Sequence, residues 1–366
     1  MKCGSLLFLL WGLLGADDGQ RLLRVDHYVR VRSVAPSMNG QTSQVYVREV
    51  VQTGSALRGR GLGVVLFVHG AGTPAEVAFD VPYSDYSWMA FLARAGYDVF
   101  AMDMTGYGRS TRPSAMADPC GLTKEQQSQF AAGPCPEITD RVTTIESDWH
   151  DIDGVVDHLR KLRGVAKVNL VGWSLGGPRA GGYAAQHPDK VSRIALLAPA
   201  YPRGRAPATA AGAPRGAPFN TQSRAEFDAN WDRQLGCADQ FEMAARESVW
   251  AEMLAADPVG ATWGTGVRRA PNVSTEGKGW NAQVVAKMRI PALFVAAAND
   301  KLVPLESVRA LHADYGATEK VFVDLACSSH NALWEKNHLL LYRASLEWFS
   351  KGTVNGSASG ALRLGY

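Results

Sequence analysis

The stretch from residue 168 to residue 180, with the sequence VNLVGWSLGGPRA, constrains the fold more than any other part of the chain. An apolar run ends at Gly172 and a helix-compatible run begins after Ser174, which predicts a strand, a sharp turn and a helix with the serine at the turn. In this Gly-x-Ser-x-Gly pattern of a nucleophile elbow, the residues two positions from the serine must be nearly free of side chain so that strand and helix can approach. Gly172 and Gly176 meet that requirement. An ordinary glycine-rich turn has the same local sequence, so the context must decide between a nucleophile and a structural serine.

The composition is that of a folded chain with little excess charge. Of its 366 residues, 46% are hydrophobic and 20% are charged, which permits a sizeable core and argues against wholesale disorder. The 38 basic and 35 acidic residues leave a formal charge of +3, with no long run of Lys and Arg. No nucleic-acid partner is therefore expected.

Residues 1–16 have the order of a secretory signal peptide. Lys2 precedes an apolar stretch over residues 6–14, and the small residues Gly15 and Ala16 follow it. The apolar part is too short to span a bilayer as a fixed helix. We therefore expect export to a secreted or periplasmic location, with an uncleaved anchor or a frayed apolar start as the alternatives. No other run approaches transmembrane length, so no stable membrane span is expected in the mature chain.

Four cysteines remain after the predicted signal peptide: Cys120, Cys135, Cys237 and Cys327. An even count in an exported chain indicates two disulfides, with buried free thiols as the alternative. Cys120 and Cys135 flank one local loop and are the natural first pair, which leaves Cys237 with Cys327, although sequence cannot prove the connectivity. No Cys/His spacing resembles a zinc site, and no metal site is expected.

Alternating apolar strands and helices predict an α/β fold with a mostly parallel sheet. Residues 28–32 and 44–50 alternate apolar and polar side chains, which is typical of half-exposed strands in a hairpin. Residues 64–68 are apolar throughout, so the sheet should pass from an antiparallel edge to a parallel centre. Further strands are predicted at residues 97–102, 168–172, 193–198, 290–296 and 320–325, and helices at residues 88–93, 141–162, 305–312 and 339–349.

This alternation is interrupted between residues 201 and 280, where Pro/Ala/Gly/Arg-rich sequence leads into an aromatic-rich helical stretch. An insertion at this point would lie over the carboxyl ends of the strands, where open α/β sheets bind ligands. We therefore predict a core over residues 25–200 and 281–351, with residues 201–280 as a lid. The tryptophans of this segment either line an apolar pocket or form the core of the lid. The Gly/Ser-rich residues 352–366 are predicted to form a flexible tail.

A glycine-rich loop with the sequence His69-Gly70-Ala71-Gly72 follows the strand at residues 64–68. In a serine hydrolase, a loop at this place supplies a backbone N–H to the oxyanion, and we assign that donor to Ala71. The N–H of Leu175, at the amino end of the helix after the serine, is the other expected donor. The alternative is a plain glycine-rich connection. His69 is interpreted as a packed, hydrogen-bonded histidine rather than a catalytic one.

Three residues follow the carboxyl ends of apolar strands in the order Ser174, Asp300, His330. A serine hydroxyl is a weak nucleophile near neutral pH and needs an imidazole to take its proton. The imidazole in turn needs a carboxylate that fixes its tautomer and stabilises the imidazolium. The order nucleophile, acid, histidine is typical of one superfamily.

With these pieces, the sequence from about residue 45 to residue 349 resembles the α/β-hydrolase superfamily, in particular its serine esterase and lipase branch. The matching motifs are HGAG at 69–72, DMTGYGRS at 103–110, GWSLGG at 172–177, NDKLVP at 299–304 and SHN at 329–331. The resemblance implies an eight-stranded, mostly parallel sheet with a lid after the sixth strand. It also implies a triad of Ser174, Asp300 and His330, and oxyanion donors at Ala71 and Leu175. Serine at the elbow argues against epoxide hydrolases and haloalkane dehalogenases, which carry Asp there.

The expected function is that of an exported serine esterase that cleaves a small-molecule ester through an acyl-enzyme, without a cofactor. The composition of the predicted lid favours an uncharged, moderately apolar substrate of small to medium size. The same triad acting on an amide, a lactone or the C–C bond of a β-diketone is a second interpretation, because pocket shape decides between these substrates. A binding protein that kept the fold and lost turnover is a third. The oligomeric state is open.

Overall fold

The structure, a computed structural model, describes residues 20–58, 61–136, 141–203, 218–273, 275 and 278–365. The predicted signal peptide at residues 1–16 lies outside the described residues.

The described residues contain strands in two sheets, one of nine strands and one of two. In chain order, the strands are β1 (Leu22–Arg32), β2 (Thr42–Gln52), β3 (Val64–Val68), β4 (Asp98–Met102), β5 (Val168–Trp173), β6 (Val191–Leu197), β7 (Phe219–Asn220), β8 (Ala270–Pro271), β9 (Ala292–Ala297), β10 (Lys320–Leu325) and β11 (Gly360–Leu364).

The large sheet has the strand order β1-β2-β4-β3-β5-β6-β9-β10-β11. β1 pairs antiparallel with β2, and β2 pairs antiparallel with β4, whereas every later pair in the order is parallel. β3, β4 and β9 are buried at every position, while most of β1 is exposed. The predicted change from an antiparallel edge to a buried parallel centre is therefore confirmed.

Helices connect the parallel strands. In chain order, the α-helices of the described residues are α1 (Thr53–Arg58), α2 (Ala75–Phe79), α3 (Trp88–Arg94), α4 (Lys124–Phe130), α5 (Ile145–Arg163), α6 (Gly176–Gln186), α7 (Arg224–Arg233), α8 (Met243–Ala255), α9 (Ala282–Val285), α10 (Leu305–Asp314) and α11 (His338–Lys351).

Both faces of the sheet are covered, as the continuous apolar strands require. α5, α6 and α10 contribute side chains such as Val155, Ala180 and Leu311 to the apolar cluster on one face. α3 and α11 contribute side chains such as Leu92 and Trp348 to the cluster on the other face. The sheet is therefore held between two helical layers, and the loops at its carboxyl edge are left to form a site.

The predictions of eight strands and of a flexible tail over residues 352–366 are wrong. α11 ends at Lys351 and is capped by Gly352, which has a φ of +70°, and the chain then turns back to form β11. β11 pairs in parallel with the edge strand β10, from Val321 opposite Gly360 to Leu325 opposite Leu364. The Gly/Ser-rich composition is misleading here because an unpaired edge of β10 can hold a strand through main-chain hydrogen bonds, with little help from side chains.

The segment inserted after β6 contains α7, α8 and the small sheet of β7 and β8. Its aromatic side chains pack together: Trp231 contacts Phe227 and Phe241, and Phe227 contacts Trp250. Trp231 also stacks on Trp334 of the core, with ring centroids 5.6 Å apart. The described part of the inserted segment is therefore packed onto the core through these aromatic side chains.

Candidate active site

The turn after β5 has the strained geometry that the Gly-x-Ser-x-Gly pattern predicts. Ser174 has a φ of +57°, which is rare for a residue with a side chain. A Cβ on Gly172 would lie 2.5 Å from the carbonyl oxygen of Gly176, and a Cβ on Gly176 would lie 2.3 Å from that of Val68. Only glycine fits at these two positions. α6 begins at Gly176, two residues after the serine.

Asp300 and His330 are in hydrogen-bonding contact. His330 Nδ1 lies 2.8 Å from Asp300 Oδ2, and both side chains are buried. The other carboxylate oxygen, Oδ1, accepts hydrogen bonds from the backbone N–H groups of Leu302 (2.7 Å) and Val303 (2.8 Å). Since both oxygens have partners, the carboxylate has a fixed orientation towards the imidazole.

The elbow and the loop that carries His330 are joined by Trp173. Its indole Nε1 donates a hydrogen bond to the His330 carbonyl oxygen at 2.9 Å, and the two rings lie 5.5 Å apart between centroids. The residue directly before Ser174 therefore fixes the backbone of His330. Sequence reasoning gave Trp173 no role, although it occupies the variable second position of the motif.

Ser174 and His330 line one cavity of about 220 Å³. Ala71, the predicted oxyanion donor, lines the same cavity. Asp300 contacts Nδ1 of His330, and Leu175 is the residue before the first turn of α6. A Cβ on Gly70 would lie 3.0 Å from the Cβ of Ser174, so the glycine-rich loop passes close to the elbow. The remaining lining residues are Thr73, Trp173, Gln222, Phe227, Asn230, Trp231, Gln234, Met253, Arg268, Leu302, Asn331 and Trp334.

Arg179 fixes the glycine-rich loop by hydrogen bonds to its main-chain carbonyl oxygens. It is fully buried, it pairs with Asp148 (Nε to Oδ2, 2.6 Å), and its Nη1 donates to the carbonyl oxygens of His69 (3.0 Å) and Gly70 (2.9 Å). Breaking a buried pair of this kind by removing one partner is strongly destabilising, because it leaves an uncompensated charge. The signal for this role was a single charged residue within the small-residue run of α6.

His69 is structural, in agreement with the sequence interpretation. Its ring is fully buried, and burial together with the Arg179 charge lowers its pKa well below the ordinary value. The neutral ring fits its partners: Nδ1 lies 2.7 Å from the Gly70 carbonyl oxygen, and Nε2 lies 3.1 Å from the Met104 N–H. With Nδ1–H donating and Nε2 accepting, both nitrogens have a partner within the protein.

Glu335 supports the His330 loop from inside the protein. Its carboxylate accepts hydrogen bonds from the backbone N–H of Ser329 (2.8 Å), from the Ser329 hydroxyl and from Gln240 Nε2 (2.8 Å). Burial raises the pKa of Glu335 to about 7, and the nearby charge of Asp300 adds to the rise. The sequence contains no local pattern that would single out this residue.

The raised pKa of Glu335 predicts a dependence of stability on pH. At pH values between the pKa of an ordinary glutamate and about 7, Glu335 keeps its proton in the folded protein but has mostly lost it in the unfolded chain. The free energy of unfolding should therefore fall as pH rises from about 5 to 8, by up to about 3 kcal/mol from this group. Urea unfolding at these two pH values should show a smaller decrease in the free energy of unfolding for Glu335→Gln than for the wild type. An equal fall in both proteins would contradict this assignment.

The Cys237–Cys327 disulfide joins the inserted segment to the loop that carries His330. Both cysteine pairs are at disulfide distance with the predicted partners: Cα–Cα is 5.2 Å for Cys120–Cys135 and 5.7 Å for Cys237–Cys327. Next to Cys237, the side chain of Gln240 contacts both the Cys237 loop and Glu335. The disulfide and the Glu335 network therefore support the same loop.

Loss of this disulfide should lower both stability and activity. We expect Cys237→Ser/Cys327→Ser to lose about 2–5 kcal/mol of unfolding free energy, as is typical for a native disulfide. It should also lower kcat, because the loop of His330 loses a support. The matched control, Cys120→Ser/Cys135→Ser, removes a bond whose loop does not line the cavity, so it should lose stability but keep kcat. Equal kcat values for both double variants and the wild type would contradict the link to the active site.

The described part of the chain contains no group of three or more His, Cys, Asp or Glu side chains placed to hold a metal ion. Among the helices of that part, none is long and apolar enough to cross a membrane.

Comparison with known proteins agrees with this architecture. A sequence model for the alpha/beta hydrolase fold matches residues 63–337. The chain belongs to the α/β-hydrolase family. The family and the α/β fold predicted from sequence are thereby confirmed, and membership supports a hydrolase.

Individual relatives of this α/β-hydrolase are distant. An esterase from Rhodococcus sp. ECU1013 superposes with a TM-score of 0.55 at 17% identity, over 88% of this chain and 98% of the other. A bromoperoxidase from Bacillus anthracis superposes with a TM-score of 0.54 at 15% identity, over 89% of this chain and all of the other. These similarities show the fold alone.

A sequence match exists to a poly(3-hydroxyalkanoate) polymerase subunit of Allochromatium vinosum. It is 41% identical over 63 residues, which are 17% of this chain and 18% of that protein. The α/β-hydrolase described here therefore matches less than a fifth of the length of that curated relative.

Proposed function

We propose that this α/β-hydrolase is a serine hydrolase that cleaves a carboxylic ester of a small to medium, moderately apolar substrate through an acyl-enzyme. The observation that carries the proposal is the buried His330–Asp300 hydrogen bond beside a cavity that the strained Ser174 also lines. A strained serine at a strand-to-helix turn, with an oriented imidazole in the same cavity, is the arrangement that nucleophilic acyl transfer needs.

In the proposed mechanism, Ser174 Oγ attacks the ester carbonyl carbon while His330 Nε2 takes the hydroxyl proton. Asp300 accepts the Nδ1–H hydrogen bond, which keeps Nε2 free for that proton and stabilises the imidazolium. The carbonyl oxygen becomes an oxyanion and accepts hydrogen bonds from the backbone N–H groups of Ala71 and Leu175. The C–O bond to the alcohol then breaks, and His330 gives the proton to the leaving oxygen. A water molecule, deprotonated by His330, hydrolyses the acyl-enzyme in the same manner and regenerates Ser174.

The cavity supports a moderately apolar substrate of modest size. Its volume of about 220 Å³ exceeds the roughly 150 Å³ that suffices for a benzene molecule in a protein interior. Aromatic and aliphatic side chains from the inserted segment and the core supply most of the apolar wall, namely Phe227, Trp231, Met253 and Trp334. We propose the inserted segment as the lid of this cavity, because Phe227, Trp231 and Met253 all belong to it.

Export is part of the proposal. Two cysteine pairs at disulfide distance fit an oxidising compartment, where such bonds persist. Residues 1–16 would be the signal peptide that directs the chain there, to the periplasm or the medium. The partner is then a small-molecule ester that reaches the mature enzyme outside the cytoplasm.

A substrate series tests the proposed reaction. 4-Nitrophenyl esters of increasing acyl length are compared with the matching 4-nitroanilides, at the same pH and enzyme concentration. We expect turnover of the short and medium esters, with at least about tenfold lower kcat/KM for the anilides, because an amine is the poorer leaving group. Faster cleavage of the anilides would exclude an esterase, and no turnover of either series would contradict the proposed function.

A further inference from the structure

Arg268 brings a positive charge into the cavity of Ser174. Apart from His330, it is the one titratable side chain among the residues that line this cavity, and no Asp or Glu of the described chain lines it. The charge of Arg268 therefore faces a space otherwise bounded by apolar and uncharged polar groups. Neither the proposed triad nor the oxyanion donors use it.

Arg268 is half-buried, and among the described residues it has no carboxylate partner of the kind that an arginine withdrawn from solvent normally has. Its Nη1 donates to the Gly72 carbonyl oxygen and lies 3.4 Å from the Thr73 hydroxyl, but its Nε is buried and has no hydrogen-bond partner among the residues that the structure describes. No ion pair within the described residues includes it, whereas its neighbour Arg269 pairs with Asp257. Burial of an unpaired charge is costly, so such a group is expected where a ligand supplies the opposite charge.

The guanidinium of Arg268 lies beside the proposed oxyanion loop, in space that a side chain at Gly72 would fill. Gly72 has a φ of +74°, and a Cβ at this position would lie 2.6 Å from Arg268 Nη1. Burial lowers the pKa of Arg268 to about 10, so the group remains cationic at neutral pH. The cation thus lies next to Gly72 and Thr73, on the loop that carries the proposed oxyanion donor Ala71.

We propose that Arg268 binds a carboxylate of the substrate, and that the preferred substrates are esters that carry a free carboxylate on an otherwise apolar body. This inference rests on the proposed function, since it names the substrate class of the same site. It replaces the uncharged substrate expected from sequence with a singly charged one: the aromatic wall contacts the apolar body, and the guanidinium donates charge-assisted hydrogen bonds to the carboxylate.

Two matched substrate pairs test this specificity. The first pair tests a charge on the acyl side of the scissile ester bond, and the second pair tests a charge on the alcohol side. The first pair is mono-4-nitrophenyl glutarate and its neutral amide isostere, and the second is 4-acetoxybenzoate and 4-acetoxybenzamide. For at least one pair, the wild type should prefer the charged member about ten- to a hundredfold in kcat/KM, as a charge-assisted hydrogen bond in a cavity provides. The preference should be lost in Arg268→Met and partly kept in Arg268→Lys. Arg309→Met, which removes an exposed arginine that does not line the cavity, is the control for net charge and should keep it.

The ratio within each pair separates carboxylate binding from a purely structural role. If Arg268 only positions the loop of Ala71, its loss lowers turnover of both members equally and leaves their ratio unchanged. No preference in the wild type for either pair, or an equal preference in Arg268→Met, overturns the inference while turnover of the neutral esters still supports the proposed function.

A binding measurement does not depend on turnover. Benzoate and glutarate are titrated calorimetrically into Ser174→Ala and into Ser174→Ala/Arg268→Met, with folding checked by circular dichroism. We expect at least one of the two anions to bind Ser174→Ala and to lose about tenfold or more in affinity in the double variant. Equal affinities in both proteins, or binding of neither anion to Ser174→Ala, overturn the inference even if no ester is turned over.

Discussion

Ser174→Ala should lower kcat/KM for 4-nitrophenyl esters by a factor on the order of 10⁴ or more, because no other group in the proposed mechanism can form the acyl-enzyme. The residual rate would come from the oxyanion donors and from substrate binding alone. The measurement is the initial rate for a short-chain ester, at enzyme concentrations high enough to detect slow turnover.

The stability of this variant should barely change. Alanine carries the same Cβ as serine, so the positive φ at position 174 costs both residues a similar strain. Ser350→Ala is a matched control, because Ser350 is exposed and bonds only within its own helix. Wild-type turnover by Ser174→Ala, with thermal unfolding like that of the control, would contradict the assignment of the nucleophile.

Asp300→Asn should lower kcat by a factor on the order of 10³–10⁴, through the tautomer of His330. In the wild type, the carboxylate accepts from Nδ1–H, and Nε2 is free to take the serine proton. In the variant, the backbone N–H groups of Leu302 and Val303 favour the amide oxygen on their side, which turns the amide NH₂ towards Nδ1. The imidazole then carries its proton on Nε2 and cannot act as the base.

Glu335→Gln is the informative comparison for Asp300→Asn, because Glu335 is also a buried acid and contacts Ser329, the residue before His330. It contacts Ser329 and Gln240 rather than the imidazole, so its neutralisation should lower kcat much less than that of Asp300. Steady-state kinetics of both variants between pH 6 and pH 9 separate the two roles. A larger loss in Glu335→Gln than in Asp300→Asn would reassign the acid of the proposed triad.

The elbow and the parallel sheet could be predicted because short stretches of sequence determine them. Gly172 and Gly176 are required by contacts with their immediate surroundings, and a continuous apolar strand such as β3 needs cover on both faces. The same holds for the sequence positions of Asp300 and His330, which lie in the loops that follow β9 and β10. Their mutual contact, however, is a property of the folded chain.

The residues that escaped prediction depend on partners far away in the sequence. Arg179 matters because its guanidinium meets the carbonyl oxygens of residues 69–70, and Glu335 matters because Gln240 comes from the inserted segment. The pairing of β11 depends on the free edge of β10, and the unpaired charge of Arg268 is evident only from its neighbours in space. A periodicity or motif within a short window carries none of this information.

The most direct test of the central claim is covalent labelling of the wild-type protein with a fluorophosphonate, followed by peptide mass spectrometry. We expect one adduct per chain, on Ser174, with loss of ester hydrolysis in proportion to labelling and no adduct in Ser174→Ala. An adduct on another residue, or full ester turnover by a protein that carries the label at Ser174, would contradict the central claim.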